Sequence, residues 1–352
     1  MKYGFWLPVF GGWLRNVTDE NMPASFEYVK ELAQNAEEWG YDLTLIAELN
    51  LNDIKGIESP SLDAWSTSAA IAAVTKRLEI LTAIRPGFHN PALTAKAAAN
   101  IDHISNGRFS LNVVSAWWEG EAKQYGGVFT AHDDRYARTE EFISILKGLW
   151  KETPFSYTGQ FYQYENTYLS PKPVKQHIPL YAGGESETGK QTIAKTCDSY
   201  VMHGGTVEEI AEKINDMKNR RRIIGEKPLE TFGMSAYIIC RDTEEEVQQE
   251  LARITEVKEG SPGYEGYKDF VSKSQLNVDV QLKDYSVSNR GLRPNLIGTP
   301  EQLAKKIVEF EEVGVNLLIL QFSPQHTEMK RFADQVMPLV EKLKKEKQEV
   351  SV

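Results

Sequence analysis

The chain has 352 residues, 41% apolar and 26% charged, with a formal net charge of −10 at pH 7. That acidity disfavours nucleic acid and anionic membrane as partners, and no basic stripe interleaved with aromatics marks a nucleic-acid binder. No apolar run approaches the roughly 20 residues that span a bilayer. The N-terminal MKYGFWLPVF lacks the long apolar core and cleavage site of a signal peptide. Two distant cysteines, Cys197 and Cys240, cannot form a four-thiolate zinc site and fit a reducing cytoplasm better than a disulfide scaffold.

Strand-like and helix-like segments alternate along the chain. A short apolar run at 3–9 precedes a helical spacing over 25–39, with Ser25 as the expected N-cap. YDLTLIA then reads as a strand, SLDAWSTSAAIAAVTK as a helix and LEILTAI as a strand. PALTAKAAANIDHIS follows as a helix with proline in its first turn. FSLNVVS precedes the helix RYARTEEFISILKGLW. Further on, the strands IPLYAG, DSYVMH, FGMSAYIIC and NLLILQF are each followed by helical patterns, the last over 325–346. Short, apolar, non-alternating strands predict a parallel sheet covered on both faces. Eight β-α units predict an α/β fold of TIM (β/α)8 type. No Pro/Ser linker divides the chain, so residues 1–352 read as one domain.

Three stretches break the alternation: 116–134 after the fourth strand, 151–178 after its helix, and 259–295 after the seventh helix. Long insertions in a regular α/β chain are binding loops or lids. The second reads as a hairpin with a Pro-rich return, the third as a mobile lid or a tolerated surface loop.

Active sites of barrels form at the carboxyl ends of the strands. The segments there are rich in aromatics, amides and glycines: FGGWLRN (10–16), ELNLNDIKG (48–56), RPGFHNP (85–91), SAWWEGE (115–121), GGESETG (183–189) and HGGT (203–206). GGESETGK permits backbone N–H groups to approach an anion at a helix N-terminus, with Ser186 beside them. It nearly spells a P-loop, but Gln191 stands where Ser or Thr would ligand magnesium. A glycine-rich turn with no ligand is the plain alternative. In HDDRYARTEEF (132–142), Asp133 or Asp134 could cap the helix, while Arg135 and Tyr136 could reach the barrel mouth. The six histidines are scattered, and no metal-binding or nucleophile-elbow motif occurs. A polar-aromatic cavity with a phosphate cradle and no self-sufficient acid–base set points to a bound cofactor.

Over nearly its whole length the chain resembles the bacterial luciferase-like flavin monooxygenases. It is most similar to the branch acting on alkanesulfonates, dimethyl sulfone and pyrimidine rings. The carrying motifs are ILTAIRPGFHNPALTAKAAANIDHISNGRFSLNVVSAWW, HDDRYARTEEFISILKGLW, GQFYQYEN, SPKPVKQHIPLYAGGESETGK and NLIGTPEQLAKKI. The resemblance implies a homodimer or homotetramer. It also implies reduced FMN delivered by an NAD(P)H-dependent flavin reductase, and oxygenation of a small organosulfur compound with cleavage of a carbon–sulfur bond. A nitrogen heterocycle as substrate, or flavin binding without turnover, are the alternatives. Residue by residue, it implies flavin contacts at Glu48, Leu49, Asn112, Ser115, Glu121, Arg135, Tyr136, Glu185 and Ser186, the last at the phosphate. Trp117 after the fourth strand and Tyr237 on the seventh are further candidate catalytic residues by position, and Arg290 corresponds to a lid arginine of the sulfonate branch. Phe10, Ser61, Ser235 and Tyr237 replace the His, Cys, Arg and His of sulfonate enzymes, which weakens the case for an anionic substrate. Arg15 or Arg85 could restore the charge.

Overall fold

A computed structural model describes residues 1–115, 118–256, 282–288 and 291–350. Eight parallel strands close into a barrel: β1 (Lys2–Trp6), β2 (Leu43–Ile46), β3 (Glu79–Ile84), β4 (Phe109–Val113), β5 (Leu180–Ala182), β6 (Ser199–Met202), β7 (Thr231–Tyr237) and β8 (Leu317–Gln321). Each pairs with its predecessor, and β8 closes on β1 with Leu317 opposite Lys2. The first helices, α1 (Phe26–Glu38), α2 (Ala64–Val74) and α3 (Pro91–Ser105), follow β1, β2 and β3.

The helix starts obey local chemistry. Ser25 Oγ accepts from Tyr28 N at 3.4 Å, as its N-cap position predicts. Asn90 caps α3 ahead of Pro91, and Asn106 ends it in the left-handed region at φ 57°. Thr206 with Glu209 and Thr243 with Glu246 form reciprocal capping boxes.

Two expectations need correction. Residues 116–134 read as a loop, yet they contain α4 (Glu119–Tyr125); seven residues are too few to show a helical period. The last helix, expected over 325–346, is helical throughout but not purely α. It runs Gln325–Arg331, widens into a π-turn at Phe332–Val336, and resumes at Met337–Val350. Pro338 offers no N–H and its ring crowds the preceding turn, which the wider turn relieves. After α5 (His132–Lys151) the expected hairpin is present, pairing Phe155–Thr158 with Gln163–Thr167. Most of the 259–295 insertion lies outside the described residues. Its described end, Leu282–Ser288, joins the loop after β1: Leu14 bridges Val287, and Ser288 N donates to Trp13 O at 2.9 Å.

Alternation along each strand sorts the side chains. Phe109, Leu111 and Val113 face the helices, while Ser110 and Asn112 face the barrel axis. At the amino-terminal end Ser110 Oγ donates to Glu79 at 2.8 Å. Above them Leu43, Leu45, Leu81, Tyr181, Val201, Leu317 and Ile319 fill the middle. The barrel is therefore plugged from below and open only at the carboxyl ends.

Candidate active site

A cavity of about 210 Å³ lies above this plug. It is lined from β1 and its loop by Trp6, Phe10, Trp13 and Arg15, and from β2 by Leu45, Glu48 and Leu49. Ala83 and Arg85 come from β3 and Asn112 and Val114 from β4, and the far wall is Gly183, Val201, His203 and Ser235. Ser288 completes it from the described end of the last insertion.

The loops are held by side chains that the chain order does not reveal. Asn52 Nδ2 donates to Phe10 O at 2.9 Å and to Pro60 O at 2.8 Å. Glu20, buried, accepts from the backbone of Trp13 and Leu14 and pairs with Lys55 Nζ at 2.6 Å. Trp13 Nε1 donates to Gln325 Oε1 at 2.8 Å, which fixes the indole edge-on to Trp6. Ser61 Oγ donates to Leu49 O at 2.8 Å and so pins the β2 exit.

Both arginines of the cavity are already paired. Arg15 Nη2 lies 3.0 Å from Asp53 Oδ2, and its guanidinium stacks over Tyr285 at 4.4 Å. Burial works against its charge, but Asp53 and Tyr285 hold its pKa above the ordinary value. Arg85, 2% exposed, forks onto the fully buried Glu121 through both Nη atoms. Its Nε lies 3.5 Å from Glu48 Oε2, and its backbone N donates to the same oxygen at 2.8 Å. Glu48 Oε1 meets His89 Nε2 at 2.6 Å.

The implied site residues fall into groups. Glu48, Leu49 and Asn112 line the cavity. Asn112 Oδ1 and Trp6 Nε1 are buried with no partner among the described residues. Glu121 does not line the cavity: its carboxylate turns to Arg85 and to Asn50 N at 2.5 Å, so it fixes the β2 and β3 exits against each other. Ser115 bonds Thr139 at 2.9 Å and is not part of the cavity lining. Tyr237 is fully buried outside the lining, with its backbone N bonded to Gly291 O at 2.8 Å. Burial pushes its phenol well above the ordinary value. Trp117 and Arg290 lie outside the described residues.

Around GGESETGK the structure is more specific. Ser186 is the N-cap of α6 (Glu187–Thr196), and its Oγ accepts from Gly189 N at 3.1 Å. Tyr136, from the first turn of α5, lays its hydroxyl against Gly184 and Gly189. Gly183 also has no room: a Cβ there would lie 2.9 Å from Val201 O. Glu185 turns to Lys213 at 2.6 Å, and Lys190 to Asp216 at 2.8 Å, so the lysine of the P-loop reading is already paired with a carboxylate. Arg135 bonds Thr130 O at 2.6 Å and covers Phe129. Neither Asp133 nor Asp134 caps α5; the cap position is Ala131, and Asp133 accepts from Thr188 at 3.1 Å.

Sequence reasoning missed Asp53 as the neutraliser of Arg15 and left His89 among the scattered histidines. Pairing across loops from different strands leaves no local spacing to read.

A family model described as "Luciferase-like monooxygenase" matches residues 1–317. An FMNH2-dependent dimethylsulfone monooxygenase of Pseudomonas putida is 34% identical, over 99% of this chain and 97% of that one. A second, from Pseudomonas fluorescens (strain Pf0-1), is 33% identical over 97% and 95%. Among solved structures, EDTA monooxygenase from Chelativorans sp. BNC1 superposes with a TM-score of 0.81 at 18% identity, over 97% of this chain and 93% of that one.

Proposed function

The chain belongs to the luciferase-like monooxygenase family, and from that premise we propose that its substrate is a small neutral sulfone. It is an FMN-dependent monooxygenase of organosulfur compounds that takes reduced FMN as co-substrate and so depends on a flavin reductase. An NAD(P)H-dependent reductase, assembly as a homodimer or homotetramer, and a cytoplasmic location complete the proposal. The last is supported by two buried free cysteines. Among the described residues no helix is long and apolar enough to cross a membrane.

The residues present fit the cofactor. Asn112 Oδ1 is a buried acceptor and Trp6 Nε1 a buried donor, both in residues of the cavity wall. Polar atoms buried without partners are costly unless a ligand meets them. Leu49, Ala83, Val114 and Val201 offer apolar surface for a ring system. Ser186, Tyr136 and the first amides of α6 offer donors for a phosphate. Reduced FMN, when bound, supplies the electrons for activation of O2. The chain's own part is to hold the ring, satisfy its polar edge through Asn112 and Trp6, and exclude water with the tryptophans and aliphatic wall.

The observation that carries the choice of a neutral substrate is the pairing of Arg15 with Asp53 and of Arg85 with Glu121 and Glu48. A sulfonate would have to compete with these carboxylates, whereas an uncharged sulfone needs only hydrogen-bond donors. The balanced reaction is dimethyl sulfone with O2 and reduced FMN giving methanesulfinate, formaldehyde, water and FMN. With a flavin reductase supplied, formaldehyde forms from dimethyl sulfone at a rate well above that from methanesulfonate. Equal or reversed rates would remove the sulfone from this account.

A further inference from the structure

His89 and Glu48 join solvent to the cavity. Glu48, with a side chain 8% exposed, lines the cavity at the β2 exit. His89, on the loop after β3, keeps a side-chain exposure of 26%, so it reaches the outside. Their contact at 2.6 Å is among the shorter side-chain hydrogen bonds of the molecule. Both partners are held in place. Glu48 Oε2 accepts from Arg85 N at 2.8 Å, which leaves Oε1 for the imidazole. The ring of His89 packs on Trp65 with centroids 5.6 Å apart. The charged groups that face the pair are Arg85, from the same loop as His89, and Glu121, from α4 behind Arg85.

We infer that His89 and Glu48 form a proton relay from solvent to the oxygen chemistry in the cavity. This rests on the reading of the cavity as the flavin and sulfone site. Reduction of one oxygen atom of O2 to water requires a proton at an oxygen inside a site that excludes bulk water. An imidazole can release a proton from one nitrogen and take one up at the other, so it suits a partly exposed station. In the relay the N–H bond of His89 Nε2 breaks as an O–H bond forms on Glu48 Oε1. Glu48 passes the proton to the oxygen in the cavity, and His89 is reprotonated from solvent. No electrons move in these steps; reduced FMN supplies both. Glu48 is the group that faces the reacting atoms, and His89 acts through it as a positioning and delivery residue.

The test uses the full chain. In histidine-labelled protein, the His89 15N resonances shift on FMN binding, and the shift is absent in Glu48→Gln, whose amide still accepts from Arg85 N. In turnover, His89→Gln keeps a donor to Glu48 but cannot relay; kcat falls by roughly 100-fold while KM for the sulfone stays within about twofold. Free imidazole restores a substantial part of kcat to His89→Gly. Unshifted His89 resonances in a protein that binds FMN, or a full-rate His89→Gln, overturn the relay and leave the flavin reading standing. Failure of the wild-type protein to bind reduced FMN overturns both.

Discussion

The hydroxyl of Tyr136 lies so close to Gly189 that a Cβ built on the glycine would stand 2.8 Å from Tyr136 Oη. Two segments over fifty residues apart thus share one small turn, and the missing side chain is what lets the phenol reach it. Gly189→Ala should displace the flexible phenol, leave the fold intact and weaken FMN binding at least tenfold. Fluorescence titration with FMN checks this; unchanged affinity would separate Tyr136 from the cofactor.

Ser186 caps α6, and Asp is as good an N-cap as Ser. Ser186→Asp should therefore keep thermal stability but set a carboxylate against the FMN phosphate, abolishing measurable binding at micromolar flavin. Ser186→Ala gives the complementary pattern. It loses about 1 kcal/mol of stability with the cap and only part of the affinity. Calorimetric binding beside thermal melts distinguishes the two effects.

Arg85 and Glu121 are a buried pair, and removing one member leaves an uncompensated charge. Glu121→Ala should destabilise the protein by about 3–5 kcal/mol in denaturant unfolding. An exposed pair would cost less than about 1 kcal/mol, so the measurement decides whether Glu121 is structural.

Asp53→Asn releases Arg15 from its only carboxylate partner among the described residues. The freed guanidinium should make methanesulfonate a competitive inhibitor at millimolar concentration, while the wild-type protein ignores it. An equal inhibition constant in both proteins would mean that Asp53 does not set the charge of the pocket.

Cys197 and Cys240 give a pH dependence. Burial pushes both thiols up to about 11, against an ordinary value of 9.0. The folded state thus favours the protonated thiol, so its contribution to stability is full below pH 9 and is lost as pH rises towards 11. Melting temperature should fall across that window, and Cys197→Ala should reduce the fall. Below it, neither thiol of the native protein should react with a disulfide reagent within minutes.

Much of this was legible in the residues, and the division has a physical cause. The strands could be read because a buried parallel strand is apolar on both faces, as β8 is with Leu317 and Ile319 towards the axis and Leu318 and Leu320 towards the helices. The glycine turn could be read because close approach demands residues without side chains. Glu121 reads as a flavin contact through the resemblance alone; its pairing with Arg85 is set by barrel closure rather than by sequence spacing. The same holds for Arg15 with Asp53 and for His89 with Glu48. The π-turn before Pro338 was missed for another reason: the apolar period runs through it, although the proline itself was the signal.

The most direct measurement is the crystal structure of the chain with FMN bound. The account predicts the ring in the cavity against Leu49, Asn112 and Trp6, and the phosphate at the Ser186 end of α6 beside Tyr136. A flavin ring outside the barrel mouth, or a phosphate remote from Ser186 and Tyr136, would contradict it.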